Sequence, residues 1–282
     1  MTVINTNTGS LYAQQAMTSN ARGLATVMQQ LSTGKRINNS VDDVAGMAIS
    51  TRLTSQIRGL NQAVRNANDG ISLIQTAEGA TEQVTNMLQR MRELAVQASN
   101  DTNNTNDRSF LNLEFQQLNS QINKIATYTQ WNAANVLDGA QREVGAGSGV
   151  FSFQVGANAS QTISITLPNM QTSGTGMLTN IASSMITSST SANSALGAIS
   201  TALDNVNLER AKMGAVISRL QFTSDNLSNV AAKAQESRSR IEDTDYSSAT
   251  TDLARRNIIQ QAAQAMLAQA NQAPQAVLQL LR

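Results

Sequence analysis

Residues 248–282 read SATTDLARRNIIQQAAQAMLAQANQAPQAVLQLLR, and this stretch decides the fold. Its small and apolar residues recur at alternating steps of four and three, a spacing that predicts a helix lying along a second helix. The other faces carry mainly Gln and Asn, so few charges keep the segment solvated and apart from a neighbour. We therefore predict an assembly seam made of Ile259, Ala263, Met266, Ala270, Ala273, Val277 and Leu280.

A matching pattern lies near the opposite end of the sequence, where Gly34 is placed to end a helix as its C-cap. This helix is the candidate partner of the first, and the two together predict an inner terminal coiled-coil domain of residues 1–43 and 244–282. Because helices rich in Ala, Gln and Asn are marginal alone, we expect both to order only when neighbouring copies bury them. The seam residues of this helix are Met17, Ala21, Leu24, Met28 and Leu31.

Three further helical patterns fill the interior of the sequence. The polar cluster of residues 100–107 separates two of them and predicts an antiparallel pair. The apolar stripes are Leu60, Val64, Ala67, Ile71, Ile74, Ala77, Val84, Leu88, Met91 and Leu94 or Ala95; then Leu111, Phe115, Leu118, Ile122 and Ile125; then Leu196, Ile199, Leu203, Val206, Met213, Ile217, Leu220, Leu227, Ala231 and Ala234. These patterns predict an outer helical rod domain of residues 44–137 and 190–243.

Residues 138–189 differ from this helical rhythm and are predicted to form the tip of the rod domain. Phe151–Val155 and Thr162–Leu167 alternate apolar and polar residues around a Gly-Ala-Asn turn, which predicts a β-hairpin. Gln171–Asn193 is rich in Ser and Thr and is either a solvated linker or a surface for O-glycans. The predicted fold is therefore mainly α: a long antiparallel helical bundle built from both halves of the chain, with a small β-hairpin region.

Composition excludes several classes of function. The 282 residues contain no Cys and no His, which excludes thiolate chemistry, imidazole catalysis and most zinc sites. The net charge of +1 gives no electrostatic footprint for nucleic acid. No apolar run reaches the roughly 18 residues of a membrane span, and residues 1–20 lack the features of a cleaved signal peptide. We expect no cofactor, no metal and no enzyme activity.

Two acidic joints offer the only clusters of carboxylates. Asp42 and Asp43 are expected to cap a helix and to hydrogen bond at a bend. Glu242, Asp243 and Asp245 leave an enzyme formally open, but neither a glycine-rich loop nor a catalytic partner accompanies them. Asp245 is placed instead to cap the last helix.

Four motifs carry a resemblance to a known family. They are LSTGKRINNSVDDVAGMAISTRL (Leu31–Leu53), QRMRELAVQASN (Gln89–Asn100), RAKMGA (Arg210–Ala215) and QAMLAQANQAPQAVLQLLR (Gln264–Arg282). In this order and nested spacing the chain resembles bacterial flagellin, and the match runs over residues 1–137 and 194–282. The resemblance implies the subunit of a helical flagellar filament for swimming motility, in a short form without the variable outer domains. Trp131 stands where flagellins more often have Phe.

The resemblance also implies partners and a location. The partners are further copies of the chain in a helical homopolymer, an export chaperone on the C-terminal helix, a filament cap and hook-associated proteins. The location is the extracellular filament, reached through the flagellar type III apparatus without a cleaved signal peptide. A host Toll-like receptor is expected to read a surface that also serves as a subunit contact, and Val277–Arg282 resembles the part sensed inside host cells. That surface comprises Gln89, Arg90, Glu93, Leu94, Gln97 and Glu114.

Two other structural classes remain open on the sequence. A flagellar hook-filament junction protein would share the terminal seams, although the motifs at Leu31–Leu53 and Gln89–Asn100 favour the filament subunit. An unrelated coiled-coil adhesin or rod would explain the heptads, but it would not require apolar residues at both ends of the sequence.

Overall fold

The computed structural model describes residues 6–139, 149–172, 174 and 176–280. It contains helices α1 (Thr8–Thr33), α2 (Val44–Ser99), α3 (Thr105–Tyr128), α4 (Thr179–Ala182), α5 (Ser189–Glu242) and α6 (Tyr246–Leu280), and strands β1 (Gln130–Trp131), β2 (Ala134–Asn135), β3 (Val150–Gln154) and β4 (Thr162–Thr166). The strands form two antiparallel hairpins, β1 with β2 and β3 with β4. The mainly α fold with a small hairpin region is as predicted.

The helix ends follow local capping chemistry. Gly34 adopts φ 72° and its N–H bonds to Gln30, so the predicted C-cap of α1 is confirmed. Asp43 accepts from the Gly46 N–H at 2.8 Å, and Asp42 accepts from the backbone at the preceding bend. Asp245 accepts from the Ser247 N–H at 2.9 Å. The predicted capping roles of these carboxylates are therefore confirmed, because each satisfies an N–H that a helix start or bend leaves unpaired.

The chain folds as two compact units, Met1–Ile57 with Ala232–Arg282 and Arg58–Ala231. Helices α2 and α5 each contribute to both units, so the division falls inside these helices. The joints at residues 43–44 and 243–244, where the sequence predicts domain boundaries, lie at or between helix ends within the first unit.

The second unit holds the main hydrophobic core. Phe115, Ile74, Leu88 and Ile122 are fully buried in one cluster built from α2, α3 and α5, as the apolar stripes predict. The hairpin β3–β4 also packs on this core, through buried Ile163 and Ile165. Gly70 of α2 permits this contact, because a Cβ there would lie 3.1 Å from the ring of Phe153.

The segment between the hairpin and α5 corrects one prediction. The described residues between 171 and 193 are not a solvated linker, since Leu178, Ile181 and Ile186 are fully buried in the core of the second unit. Asn112 of α3 accepts from the Ile186 N–H at 3.1 Å and fixes the segment from outside. The sequence did not reveal the burial of these apolar residues, because their spacing among Ser and Thr follows neither a helical nor a strand period.

Candidate assembly surfaces

Helices α1 and α6 pair antiparallel in the first unit. The Asn7 side chain donates to the Ala270 carbonyl at 2.8 Å, Asn20 donates to Arg256 at 2.8 Å, and the Tyr246 hydroxyl donates to Leu31 at 3.1 Å. The register is constant along the pair, since each step forward in α1 is matched by an equal step back in α6. The predicted partnership of the two terminal helices is confirmed.

The contact face of this pair is partly polar. Asn20 and Val27 are buried in it about two turns apart, and the guanidinium of Arg256 lies directly over Gly23, where a Cβ would overlap it. The side-chain amides of Asn7 and Asn20 thus donate to backbone carbonyls of α6. In a purely apolar seam those carbonyls would accept hydrogen bonds only from N–H groups of α6 itself. Small and polar residues set this register rather than a continuous apolar stripe.

This polar face changes which side of each helix is covered. Met17, Leu24 and Leu31 of the predicted seam are partly covered in α1, as are Ala263 and Ala270 in α6. Ala21 and Met28 are exposed, Ile259 is 46% exposed and Met266 is 64% exposed, so these four members of the predicted assembly seam lie outside the contact within the chain. Val27, Gln260 and Leu267 take their places. Ala273, Val277 and Leu280 lie outside the residues whose side chains are described.

The consequence is that several large apolar side chains of the helix pair stay exposed. Besides Tyr246, whose hydroxyl bonds to Leu31 across the pair, the described large apolar side chains that remain exposed when α1 and α6 have paired are Leu11, Tyr12, Met28, Ile258, Ile259 and Met266. We call these six residues the outward face. So many exposed large apolar side chains on two helices are typical of a protein–protein interaction surface.

Glu242 organises the joint where the connections α1–α2 and α5–α6 meet. Its carboxylate bonds to the Lys35 ammonium and the Ser50 hydroxyl, each at 2.5 Å, and its backbone carbonyl accepts from the Arg36 N–H. The bonds from Lys35, followed by the bond from Ser50, lower the pKa of Glu242 below its ordinary value of 4.5. The side chain is 13% exposed, so water screens these contacts little.

The joint is therefore expected to weaken in acid. A carboxylate whose pKa is lowered by folding contributes stability above its unfolded pKa, and loses that contribution as the pH falls through the lower folded value. We expect protection of the Arg36 and Thr244 amides against hydrogen exchange to fall when the pH drops below about 4.5. Glu242→Gln should remove most of this pH dependence and Lys35→Gln part of it. An unchanged pH profile in Glu242→Gln would show that another group controls the joint.

A second surface lies in the second unit, around Arg90. The guanidinium donates to Glu114 of α3 at 2.9 Å and to Glu93 at 2.8 Å, so it joins α2 to α3. The hydrogen bonds to Glu114 and, after it, to Glu93 raise the pKa of Arg90. Gln89 and Gln97 are exposed beside them, and Val96, which the sequence reasoning missed, is 54% exposed.

One predicted member of this surface is misplaced. Leu94 is 1% exposed and belongs to the hydrophobic core, so it supports the surface from below and does not face a partner. The physical reason is helical period, because Met91, Leu94 and Ala98 follow the buried stripe of α2. The exposed surface around Arg90 therefore comprises Gln89, Arg90, Glu93, Val96, Gln97 and Glu114.

The described residues contain neither a metal-binding cluster nor a membrane-spanning helix. Nowhere in the described ranges do three His, Cys, Asp or Glu side chains gather into a group able to hold a metal ion. In the same part of the chain, no helix combines the length and apolar character needed to cross a membrane.

The two terminal helices pair through a partly polar seam and leave apolar side chains exposed. This arrangement is typical of one class, the helical structural proteins that associate through helix surfaces. Comparison with protein families specifies the class. The model of the bacterial flagellin N-terminal helical region matches residues 4–142, and that of the bacterial flagellin C-terminal helical region matches residues 196–281.

Individual relatives agree over the whole length. A flagellin of Halalkalibacterium halodurans is 46% identical over 280 residues, covering 99% of this chain and 100% of the relative. The flagellar filament 33 kDa core protein of Treponema phagedenis is 38% identical over 285 residues, covering 99% and 100%. The crystal structure of Bacillus cereus flagellin superposes with a TM-score of 0.50 at 29% identity, covering 60% of this chain and 94% of that chain.

The chain therefore belongs to the bacterial flagellin family, as a short member, and is a structural subunit of the flagellar filament. The resemblance inferred from the four sequence motifs is confirmed.

Proposed function

We propose that copies of this subunit polymerise into the helical filament through the outward face of the α1–α6 pair, and that both helices become stably ordered only in the polymer. The observation that carries this proposal is the exposure of six large apolar side chains on a pair whose own contact is thin. Among the described side chains of α1 and α6, Asn20, Val27 and Ala249 alone are buried.

The balance of free energies supports coupled folding and assembly. Ordering backbone costs about 1–2 kcal/mol per residue, and α1 and α6 span 26 and 35 residues. Val27 is the one large apolar side chain among the buried described residues of the pair, and its burial returns about 1.5–3 kcal/mol. Neighbouring copies that cover the outward face would bury further apolar surface, and no additional residues would have to be ordered. Contacts that repeat head to tail without closing a ring then give an open helical polymer.

Hydrogen exchange on subunit and filament tests this proposal. In the free subunit we expect the amides of residues 259–272 to be protected about tenfold or less, and in the filament more than about a thousandfold. Amides of the α2 core near Leu88 and Met91 are the internal control, because both residues are fully buried within one subunit. Equal protection of residues 259–272 in the two states would refute ordering on assembly.

We further propose that the surface around Arg90 is a second subunit contact, and that a host Toll-like receptor reads it on free subunits. Its support is geometric, since Arg90, Glu93 and Glu114 form an exposed charged cluster held in place by two hydrogen bonds. Arg is also a frequent anchor of protein interfaces. A surface covered in the filament would be accessible to a receptor only on the monomer.

Arg90→Ala is expected to weaken both interactions about five- to tenfold while leaving the unfolding midpoint of the subunit nearly unchanged. Seeded filament growth and a receptor-reporter assay measure the two effects separately. Arg65→Ala is the matched control, because Arg65 is also exposed on α2 and bonds only to Gln62 among its described contacts. If Arg90→Ala and Arg65→Ala behave alike, the cluster has no special role in either contact.

We propose that residues 1–43 with 244–282 act as the inner domain of the filament, and that residues 44–137 with 190–243 act as the outer domain, with 138–189 at its tip. The support is that the α1–α2 and α5–α6 connections end helices at these positions. Deleting residues 1–43 should stop polymerisation and leave the second unit folded. A truncated subunit that still extends seeds would contradict this division.

We also propose that the subunit is exported without a cleaved signal peptide and that an export chaperone covers α6. The support is the outward face, since exposed Ile258 and Met266 would promote premature assembly unless a partner shields them. The filament cap and hook-associated proteins are proposed as the further partners. Secreted subunit whose N-terminal sequence starts after a processed segment would contradict this export route.

No catalytic role is proposed. The Glu242 carboxylate is engaged by Lys35 and Ser50, and Asp245 caps α6, so the acidic joint is explained by structure alone. A catalytic turnover lost on Glu242→Gln with unchanged folding would overturn this view.

A further inference from the structure

The β3–β4 hairpin has one edge whose backbone groups are unpaired. The Val155 N–H donates to Gln161 at 2.8 Å and the Leu167 N–H donates to Gly149 at 2.9 Å, which fixes the alternation of bonded pairs along the ladder. The N–H and C=O groups of Thr162, Ser164 and Thr166 therefore point away from β3. In the described part of the chain no hydrogen-bond partner approaches them. Such an edge is a template for another strand.

The outer edge of β3 differs, because α2 reaches it. The Asn66 side chain donates to the Gln154 carbonyl at 3.0 Å. The edge of β4 instead opens into a groove of about 420 Å³ between the strand and α5, within the second unit. Ser164 and Thr166 line one side of the groove, and Lys212, Val216 and Arg219 line the other. The groove lies in the size range of ordinary ligand sites.

The shape and floor of the groove suit an added strand. A strand pairing with β4 would lie about 4.8 Å from it, with the backbone groups of Thr162, Ser164 and Thr166 as partners. Its inward side chains would rest on Val216 and Ala215 of α5. Main-chain hydrogen bonds would supply affinity, and the side chains of the groove would supply selectivity.

The charges of the groove select an acidic occupant. The Lys212 ammonium pairs with the Glu209 carboxylate at 2.7 Å, and the Glu209 side chain is 14% exposed. The charges of these two groups therefore offset each other. Arg219 is exposed and makes no ion pair with any described residue. The strands of this chain contain no acidic residue in QW, AN, VFSFQ or TISIT, so another copy offers no strand to complement Arg219.

We propose that the outer edge of β4 is a docking site for an extended, acidic segment of a partner protein, which pairs with Thr162–Thr166 and places a carboxylate against Arg219. This site is separate from the outward face and from the surface around Arg90. It goes beyond the proposed function and does not rest on it, since the groove belongs to the second unit and the test uses unassembled full-length subunit.

The probe is a synthetic eight-residue peptide of alternating Val and Thr with one central Glu, and the same peptide with Lys in place of Glu. We expect the Glu peptide to slow hydrogen exchange at the Thr162, Ser164 and Thr166 amides, and to bind at least about tenfold more tightly than the Lys peptide. Arg219→Glu should reverse this preference.

Two proline variants make the test specific to the edge. Ser164→Pro removes an outward N–H of β4 without touching the ladder to β3, and should weaken binding at least about tenfold. Ser152→Pro makes the same change on the outer edge of β3 and should leave binding unchanged. The proposal is overturned if the three amides stay unprotected in the presence of the Glu peptide, or if the two proline variants bind it alike. It is also overturned if the amides become protected with rising subunit concentration in the absence of peptide, because a second copy would then be the occupant.

Discussion

Replacing Ile259 and Met266 together by Glu is expected to raise the critical concentration for filament growth at least about thirtyfold. The two side chains are 46% and 64% exposed on the paired helices, so assembly has roughly one large apolar side chain left to bury between them. That burial contributes about 2–3 kcal/mol, and 1.4 kcal/mol corresponds to a factor of ten in an association constant. Carboxylates placed in an apolar contact add a further cost.

The matched control changes charge equally without touching the outward face. Gln261→Glu with Gln264→Glu introduces two carboxylates at exposed positions of the same helix. Seeded growth followed by light scattering gives the critical concentration of each variant, and circular dichroism reports the helix content of the free subunit. If the Ile259/Met266 variant extends seeds at the wild-type concentration, the outward face is not the assembly contact.

Phe115→Ala is expected to lower the free energy of unfolding of the second unit by about 3–5 kcal/mol. Phe115 is fully buried in the cluster formed by α2, α3 and α5, so truncation removes its transfer energy and leaves a cavity. Trp131, the single tryptophan, packs against the same cluster and reports its loss by fluorescence during urea unfolding.

Phe110→Ala is the control for this change. Phe110 lies on the same helix but is 67% exposed, so its removal should alter stability by no more than about 0.5 kcal/mol. Equal losses in the two variants would mean that Phe115 is not enclosed as the structure shows. A large loss of filament growth in Phe110→Ala without a loss of stability would instead add Phe110 to the subunit contacts.

The sequence predicted the helices, their order and their ends because those features depend on local chemistry. The stripe containing Leu88 and Met91 repeats with helical period, and Gly34 and Asp245 stand where a cap is needed. The partnership of α1 with α6 was also predictable, since each carries a seam of alternating four- and three-residue steps and the two lie near opposite ends of the sequence. Four short motifs were enough to suggest the flagellin family.

Other features depended on distant parts of the chain. The buried positions of Leu178, Ile181 and Ile186 have no period, so only the packed core revealed them. On sequence alone, Leu94 could belong either to the exposed surface around Arg90 or to the hydrophobic core. Its burial in the structure assigns it to the core. The open edge of β4 was equally invisible, because a hairpin pattern does not show which side another element covers.

The sequence by itself determined that this chain is helical, that its two ends pair and that it has no Cys or His for chemistry. Only the tertiary structure decided which face of each terminal helix the pair covers. The physical reason is that Asn20 and Arg256 set the register of α1 against α6 through hydrogen bonds and a close approach at Gly23. A period-based seam places the largest apolar side chains inward, whereas this partly polar contact leaves Ile259 and Met266 exposed for a neighbouring subunit.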